Sequence, residues 1–150
     1  CTNTMHKMVP DIEKEISIPI VHIADTTAEI IKSKGIKKVA LLGTRFTMEQ
    51  DFYKGRLIEK HGIDVVIPEG KDLEQVHSII YNELVLGEIK PSSKEIYKQI
   101  IKRLVERGAE GVILGCTEIP LLIQQNDCPV PVFDTTLIHA EKTVEFAIGS

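Results

Sequence analysis

Two cysteines stand where a thiol could do acid/base or nucleophilic work. Cys116 follows the apolar run Val112-Ile113-Leu114-Gly115 and precedes Thr117-Glu118-Ile119. That pattern reads as a buried strand closed by glycine, a thiol at the strand's carboxyl end, and then a helix start. In open α/β sheets ligands bind at that edge, and a helix start offers unpaired N–H groups and partial positive charge. A thiol so placed is expected to have a lowered pKa and to be partly thiolate near neutral pH. Cys1 precedes a helix in the same manner, and the small polar residues Thr2, Asn3 and Thr4 can hydrogen-bond a ligand carboxylate or cap that helix. Either cysteine alone could equally be a small buried hydrophobe; it is their matching contexts that favour chemistry. Cys128, between Asp127 and Pro129, lacks that context and reads as structural.

The elements that must hold these thiols alternate along the chain. Short runs rich in Val and Ile at 19–23, 38–42, 63–67, 111–114 and 130–133 are predicted strands, brief as strands covered on both faces tend to be. Helical periodicity occupies 5–16, 25–34, 48–61, 73–86, 93–107 and 135–148. Gly35, Gly62 and Gly108 fall where helix ends favour positive φ, and Ser92-Ser93-Lys94-Glu95 offers a capping-box start. The alternation predicts an α/β fold with mostly parallel strands. A weak repeat about 110 residues apart reinforces it. Cys1-Thr2, then Ile18-Pro19-Ile20-Val21, then Asp25-Thr26-Thr27 is echoed by Cys116-Thr117, then Val130-Pro131-Val132-Phe133, then Asp134-Thr135-Thr136. The cysteine-to-aspartate spacing is 24 in one copy and 18 in the other, so the theme suggests two similar half-sites and not a strict duplication.

With 150 residues, 43% of them hydrophobic, the chain can bury one sizeable core or most of two small ones. A net charge of −4 provides no basic face for a phosphate backbone, and its apolar runs are far shorter than a membrane span, so neither nucleic acid nor membrane is an expected partner. Three cysteines separated by 115 and 12 residues form neither a metal pair nor a disulfide framework, which points to a reducing cytoplasm. The five histidines, His6, His22, His61, His77 and His139, show no zinc-ligand spacing.

Cys-Thr-Asn-Thr-Met-His-Lys at 1–7 and Leu-Gly-Cys-Thr-Glu-Ile at 114–119 resemble the two signature segments of the aspartate/glutamate racemase superfamily, its aspartate racemase branch more than its glutamate racemase branch. In the latter, histidine usually follows the second Cys-Thr, where Glu118 stands here. The resemblance extends over the whole chain. It implies a cofactor-independent isomerase acting on aspartate or glutamate, in which Cys1 and Cys116 take and return the Cα proton from opposite faces, their roles exchanging with the enantiomer bound. Neither cofactor nor metal is implied.

Carried over position by position, Asn3, Thr4 and Thr117, with Thr2 beside them, would hold the substrate carboxylate as charge spreads onto it. Glu118 would set the protonation state of Cys116, or be no more than a carboxylate at a helix N-terminus. Thr44 and Thr47, in Leu42-Gly43-Thr44-Arg45-Phe46-Thr47, would line the cleft, or simply cap a strand-to-helix turn; the segment lacks the endings of a phosphate loop or a dinucleotide fingerprint. Lys90, in the loop 87–91, would recognise the substrate's side chain, although loop lysines are usually just solvated. His22 and Asp25 could line the cleft but read more simply as a polar pair or helix cap.

The fold so implied has two similar α/β domains with the active site in the cleft between them. Residues 20–127 read as one domain, and 1–19 with 128–150 as parts of the other, whose opening strands the family places upstream of Cys1. On that reading this chain alone would be inactive, and the full-length protein an active homodimer. Two other readings stand beside it. One is a related reaction such as hydantoin racemisation or maleate isomerisation; a decarboxylase, which keeps one cysteine, fits less well. The other is a non-catalytic α/β ligand-binding domain.

Overall fold

The computed structural model describes residues 2–149. Four parallel strands form the sheet: β1 (Lys38–Leu42), β2 (Asp64–Val66), β3 (Val112–Leu114) and β4 (Val132–Asp134), in the order β2-β1-β3-β4. Register aligns Lys38 with Asp64, Leu42 with Leu114, and Leu114 with Asp134, so the carboxyl ends of β1, β3 and β4 share one edge. Helices α1 (Val9–Glu15), α2 (Ile23–Ser33), α3 (Arg45–Glu49), α4 (Lys54–His61), α5 (Gly70–Asn82), α6 (Pro91–Glu106), α7 (Ile119–Leu122) and α8 (Thr135–Ile148) supply the crossovers and flanks.

Alternation along the strands divides the core in two. Val39, Leu41 and Ile113 point to one face and pack with Ile23, Ala28 and Ile31 of α2 and Leu57 of α4. Ala40, Leu42, Val112 and Leu114 point to the other, under Val76 and Ile80 of α5 and Ile100, Ile101 and Leu104 of α6. Strands buried on both faces must be apolar throughout, which is why these segments stood out in the sequence. Each fully buried Leu or Ile contributes roughly 1.5–3 kcal/mol. Gly35, Gly62 and Gly108 take φ of 71°, 66° and 95° at the ends of α2, α4 and α6, as their positions predicted.

The structure departs from the sequence expectations in several places, among them the helix expected over 73–86, where α5 ends at Asn82 and Leu84–Leu86 is a separate 3-10 turn. Segment 19–23 is not a strand: residues 16–22 lie outside regular structure and Ile23 already begins α2. An extended segment becomes a strand only where another edge meets it, and among the described residues none does. The helix expected over 5–16 is a 3-10 turn, Thr4–Met8, followed by α1. The change comes at Pro10, which lacks an N–H and suits the first turn of a new helix. The helix expected over 48–61 breaks at Gln50, whose ψ of 148° ends α3, and Tyr53 beyond the break is fully buried. No capping box opens α6: Pro91 starts it, and the Ser93 hydroxyl donates to Glu83 instead. β4, from the stretch 128–150 that the sequence grouped with 1–19, forms the sheet's edge beside β3.

Candidate active site

The strand order reverses direction between β1 and β3: the chain goes from β1 to β2 on one side and returns across to β3 on the other. That topological switch opens a crevice at the strands' carboxyl ends. Two glycines close it tightly. Gly115 N–H donates to Leu42 O at 2.6 Å, and a Cβ on Gly115 would sit 2.9 Å from that same oxygen and 3.2 Å from Thr47 Cγ2. A Cβ on Gly43 would lie 3.2 Å from Gly115 O. Only glycine lets the two strand ends approach this closely.

Thr44 and Thr47 occupy the β1 side of the crevice. Thr44 is the N-cap of α3, its hydroxyl 3.5 Å from Thr47 N and 3.4 Å from Thr47 Oγ1, while Thr47 is fully buried beside both glycines. The capping role is therefore real, and it coexists with a place at the switch point.

On the β3 side, half-buried Cys116 donates through Sγ to Glu118 Oε2 at 2.8 Å. Burial pushes this thiol up to about 12, and the neighbouring Glu118 carboxylate adds to the rise. The expectation of a lowered pKa is thus reversed. The helix that follows, α7, has only four residues, so its dipole is small, and its N-cap is the negative Glu118. Desolvation and a like charge both disfavour thiolate. Burial also works to raise Glu118, but hydrogen bonds from Cys116 and Thr117 outweigh it and hold the carboxyl below its usual range. Thr117 itself is exposed.

Cys1 lies outside the described residues, but its neighbour Asn3 is buried and reaches the same edge. Asn3 Nδ2 donates to Thr135 Oγ1 at 3.0 Å, and Thr135 Oγ1 donates to Leu114 O at 2.9 Å. The first signature segment is thereby tied to the strand end that carries Cys116. Asn3 Oδ1 is buried with no hydrogen-bond partner among the described residues. Thr2 and Thr4 are exposed, and the Thr2 carbonyl accepts from His6 Nδ1 at 2.8 Å. Lys90 is the exposed N-cap of α6, with its ammonium 2.9 Å from Glu88 and 3.6 Å from Glu83.

Sequence reasoning passed over Thr135, although the repeated Asp-Thr-Thr was the signal for it: Asp134 caps α8 by accepting from Thr136 N and Leu137 N, which fixes Thr135 at the strand end. In the other copy His22 does the capping, its Nδ1 accepting from Ala24 N at 3.1 Å, and burial pushes its imidazole down to about 3. Asp25 is paired, with Arg56 at 2.7 and 2.8 Å, Lys60 at 2.6 Å and His61 at 2.8 Å. His6 stacks edge-on against His22 and His139, with ring centres 4.8 and 5.2 Å apart. Among the described residues no group of His, Cys, Asp and Glu is arranged to hold a metal, and no helix is long and apolar enough to cross a membrane.

Comparison with known proteins agrees with the fold. The crystal structure of a candidate Asp/Glu racemase from Yersinia pestis matches 99% of this chain and 64% of its own, with a TM-score of 0.95 and 55% identity. That of an aspartate racemase homologue from Pyrococcus horikoshii OT3 matches 97% of this chain and 64% of its own, with a TM-score of 0.87 and 45% identity. The broad specificity amino-acid racemase RacX of Bacillus subtilis (strain 168) is 25% identical over 145 residues, which are 95% of this chain and 60% of RacX. The chain therefore spans a little under two thirds of the length of each of these relatives. The family model for Asp/Glu/Hydantoin racemase matches residues 1–143, a stretch that contains both cysteine segments, and by that match the chain belongs to the Asp/Glu/hydantoin racemase family.

Proposed function

We propose that the protein carrying this chain racemises an acidic amino acid, aspartate or glutamate, without a cofactor, using Cys1 and Cys116 on opposite faces of Cα. The observation that carries the reading is the convergence at one sheet edge. Asn3, two residues from Cys1, is tethered to the carbonyl of Leu114, two residues before Cys116.

Inversion needs one thiolate to take the Cα proton and one thiol to return a proton from the other side. Cys116, with its thiol pushed up to about 12, rests as the donor. Having given up its proton, Cys116 is left as the thiolate while Cys1 holds the proton taken from Cα, and that pair is the base and the donor for the reverse direction; Glu118, 2.8 Å from the sulfur, strengthens the hold of Cys116 on the proton it takes up. As charge spreads from Cα onto the substrate carboxylate, hydroxyl and backbone donors from Thr2, Thr4, Thr44, Thr47 and Thr117 stabilise it. Asn3 contributes with whatever capacity its bond to Thr135 leaves free. Lys90 would meet the distal carboxylate by exchanging Glu88 and Glu83 for substrate.

The proposal includes the larger frame: a second α/β domain that faces the crevice and takes up residues 1–19, while 128–150 stays with the sheet of 20–127 through β4, together with a homodimer and a reducing cytoplasm in which thiols persist. Apolar side chains left in solvent on the 3-10 turn and α8, among them Met5, Leu137, Val144 and Ile148, are surface that such a domain would cover.

The test is exchange in D2O. The natural-length protein is incubated with L- and D-aspartate and glutamate, and with neutral amino acids as a contrast, while Cα–H signals are followed by NMR. Loss of Cα–H from either enantiomer of an acidic substrate, abolished in both Cys1→Ser and Cys116→Ser, supports the reading. Full exchange in either variant, or none with any acidic amino acid, overturns it.

A further inference from the structure

We propose that Thr135 is a positioning residue: its hydroxyl fixes which way round the Asn3 amide faces, and thereby seats the Cys1 segment against the Cys116 strand end. The catalytic consequence rests on the racemase reading, whereas the geometric claim stands by itself.

A hydroxyl has one proton to give. That of Thr135, in a fully buried side chain, lies 2.9 Å from Leu114 O, a carbonyl that can only accept. The proton is therefore spent on Leu114, and toward Asn3 the oxygen presents lone pairs alone. Asn3 must answer with its NH2, at 3.0 Å, and its carbonyl is turned to the opposite side. An amide is nearly symmetric in shape, so packing alone would not choose between its two orientations. The choice is made by Leu114, through Thr135. The anchor itself is stiff: Thr135 is the first residue of α8, and Asp134 before it is held by backbone donors from Thr136 and Leu137.

The arrangement leaves Asn3 Oδ1 buried without a partner among the described residues. Buried acceptors of that kind are uncommon in folded proteins, and they recur where a ligand completes them. With one N–H committed to Thr135 and its carbonyl without a partner among the described residues, Asn3 offers a substrate an acceptor, which suits the α-ammonium group.

Two variants and one probe test this. Thr135→Val keeps the shape and removes the hydroxyl; Thr135→Ser keeps the hydroxyl. In the natural-length protein, Thr135→Val should lower kcat for Cα–H exchange by about tenfold or more with a smaller change in KM, and Thr135→Ser should restore most of it. A merely structural residue would not give that split or that rescue. The probe, independent of activity, is hydrogen exchange of the Asn3 side-chain NH2 followed by NMR. It should be slow in the wild-type protein and in Thr135→Ser, and fast in Thr135→Val. Rapid exchange at Asn3 in the wild type overturns the proposal, even if Thr135→Val fails to fold. Unchanged kcat in a folded Thr135→Val overturns it as well. If the wild type exchanges no amino-acid proton at all, the racemase reading falls, and protection of the Asn3 amide still decides the role of Thr135.

Discussion

Cys116 Sγ donates to Glu118 Oε2 across 2.8 Å, so the thiol that could serve as a base is held in its protonated form by a carboxylate only two residues away. Burial contributes most to that state, and the pairing deepens it.

The first prediction follows from separating these two causes. Alkylation of Cys116 by iodoacetamide, read site by site by mass spectrometry, should be slow at pH 8 and rise toward pH 12. In Glu118→Gln the like charge is gone while burial remains, so the profile should move to lower pH without reaching that of a free thiol. Each unit recovered makes the rate at fixed pH about tenfold faster. Racemase turnover should nevertheless fall in the direction that needs Cys116 as donor, because the carboxylate that helps hold the thiol protonated has been lost. An identical alkylation profile in the variant would show that the carboxylate has no part in setting the thiol.

A second prediction concerns acid stability and the Asp25 cluster. Hydrogen bonds from Arg56, His61 and Lys60 hold the Asp25 carboxyl far below its ordinary range, against the opposing effect of burial. A depressed folded-state pKa gives stability that is present above the ordinary carboxylate range and lost as pH falls through it toward the folded value. Asp25→Asn should cost about 2 kcal/mol at pH 7, leaving Arg56 and Lys60 without their shared acceptor. The difference between wild type and variant should shrink below about pH 4. Urea midpoints at pH 7 and pH 3 check both statements; a pH-independent difference would contradict the second.

A third tests the close approach at the switch point. In Gly115→Ala the new methyl meets Leu42 O at 2.9 Å, and a carbonyl in the sheet cannot yield as a flexible side chain can. Destabilisation of roughly 1–3 kcal/mol is expected from such overpacking. Gly35→Ala has open space around its Cβ and is strained only by its φ of 71°. Equal urea midpoints for Gly115→Ala and the wild type would mean that the two strand ends lie further apart.

The fourth concerns Lys90. Its ammonium is exposed and shared between Glu88 and Glu83, so Lys90→Met should leave the melting temperature unchanged. If the proposed role is right, KM for aspartate or glutamate rises several-fold, while any activity on neutral amino acids stays as it was. Equal effects on acidic and neutral substrates would remove Lys90 from side-chain recognition.

What the sequence determined by itself is what short stretches dictate locally. Short runs rich in Val, Ile and Leu read as doubly covered strands, and three of them, now β1, β3 and β4, carry Thr44, Cys116 and Thr135 close after their ends. Gly35, Gly62 and Gly108 announced positive φ because no other residue adopts it so readily. The two cysteine segments likewise carried the family without any coordinates. The tertiary structure decided everything that depends on a distant partner. Segment 19–23 has a strand's composition but meets no neighbouring edge among the described residues. Asn3 and Thr135 bond across 132 positions of sequence, a distance over which no periodicity speaks. The sign of the Cys116 shift was likewise hidden: a helix start argues for thiolate, but the depth of burial and the direction of Glu118 are set by how β3, α6 and α7 pack, and burial and the neighbouring carboxylate prevail.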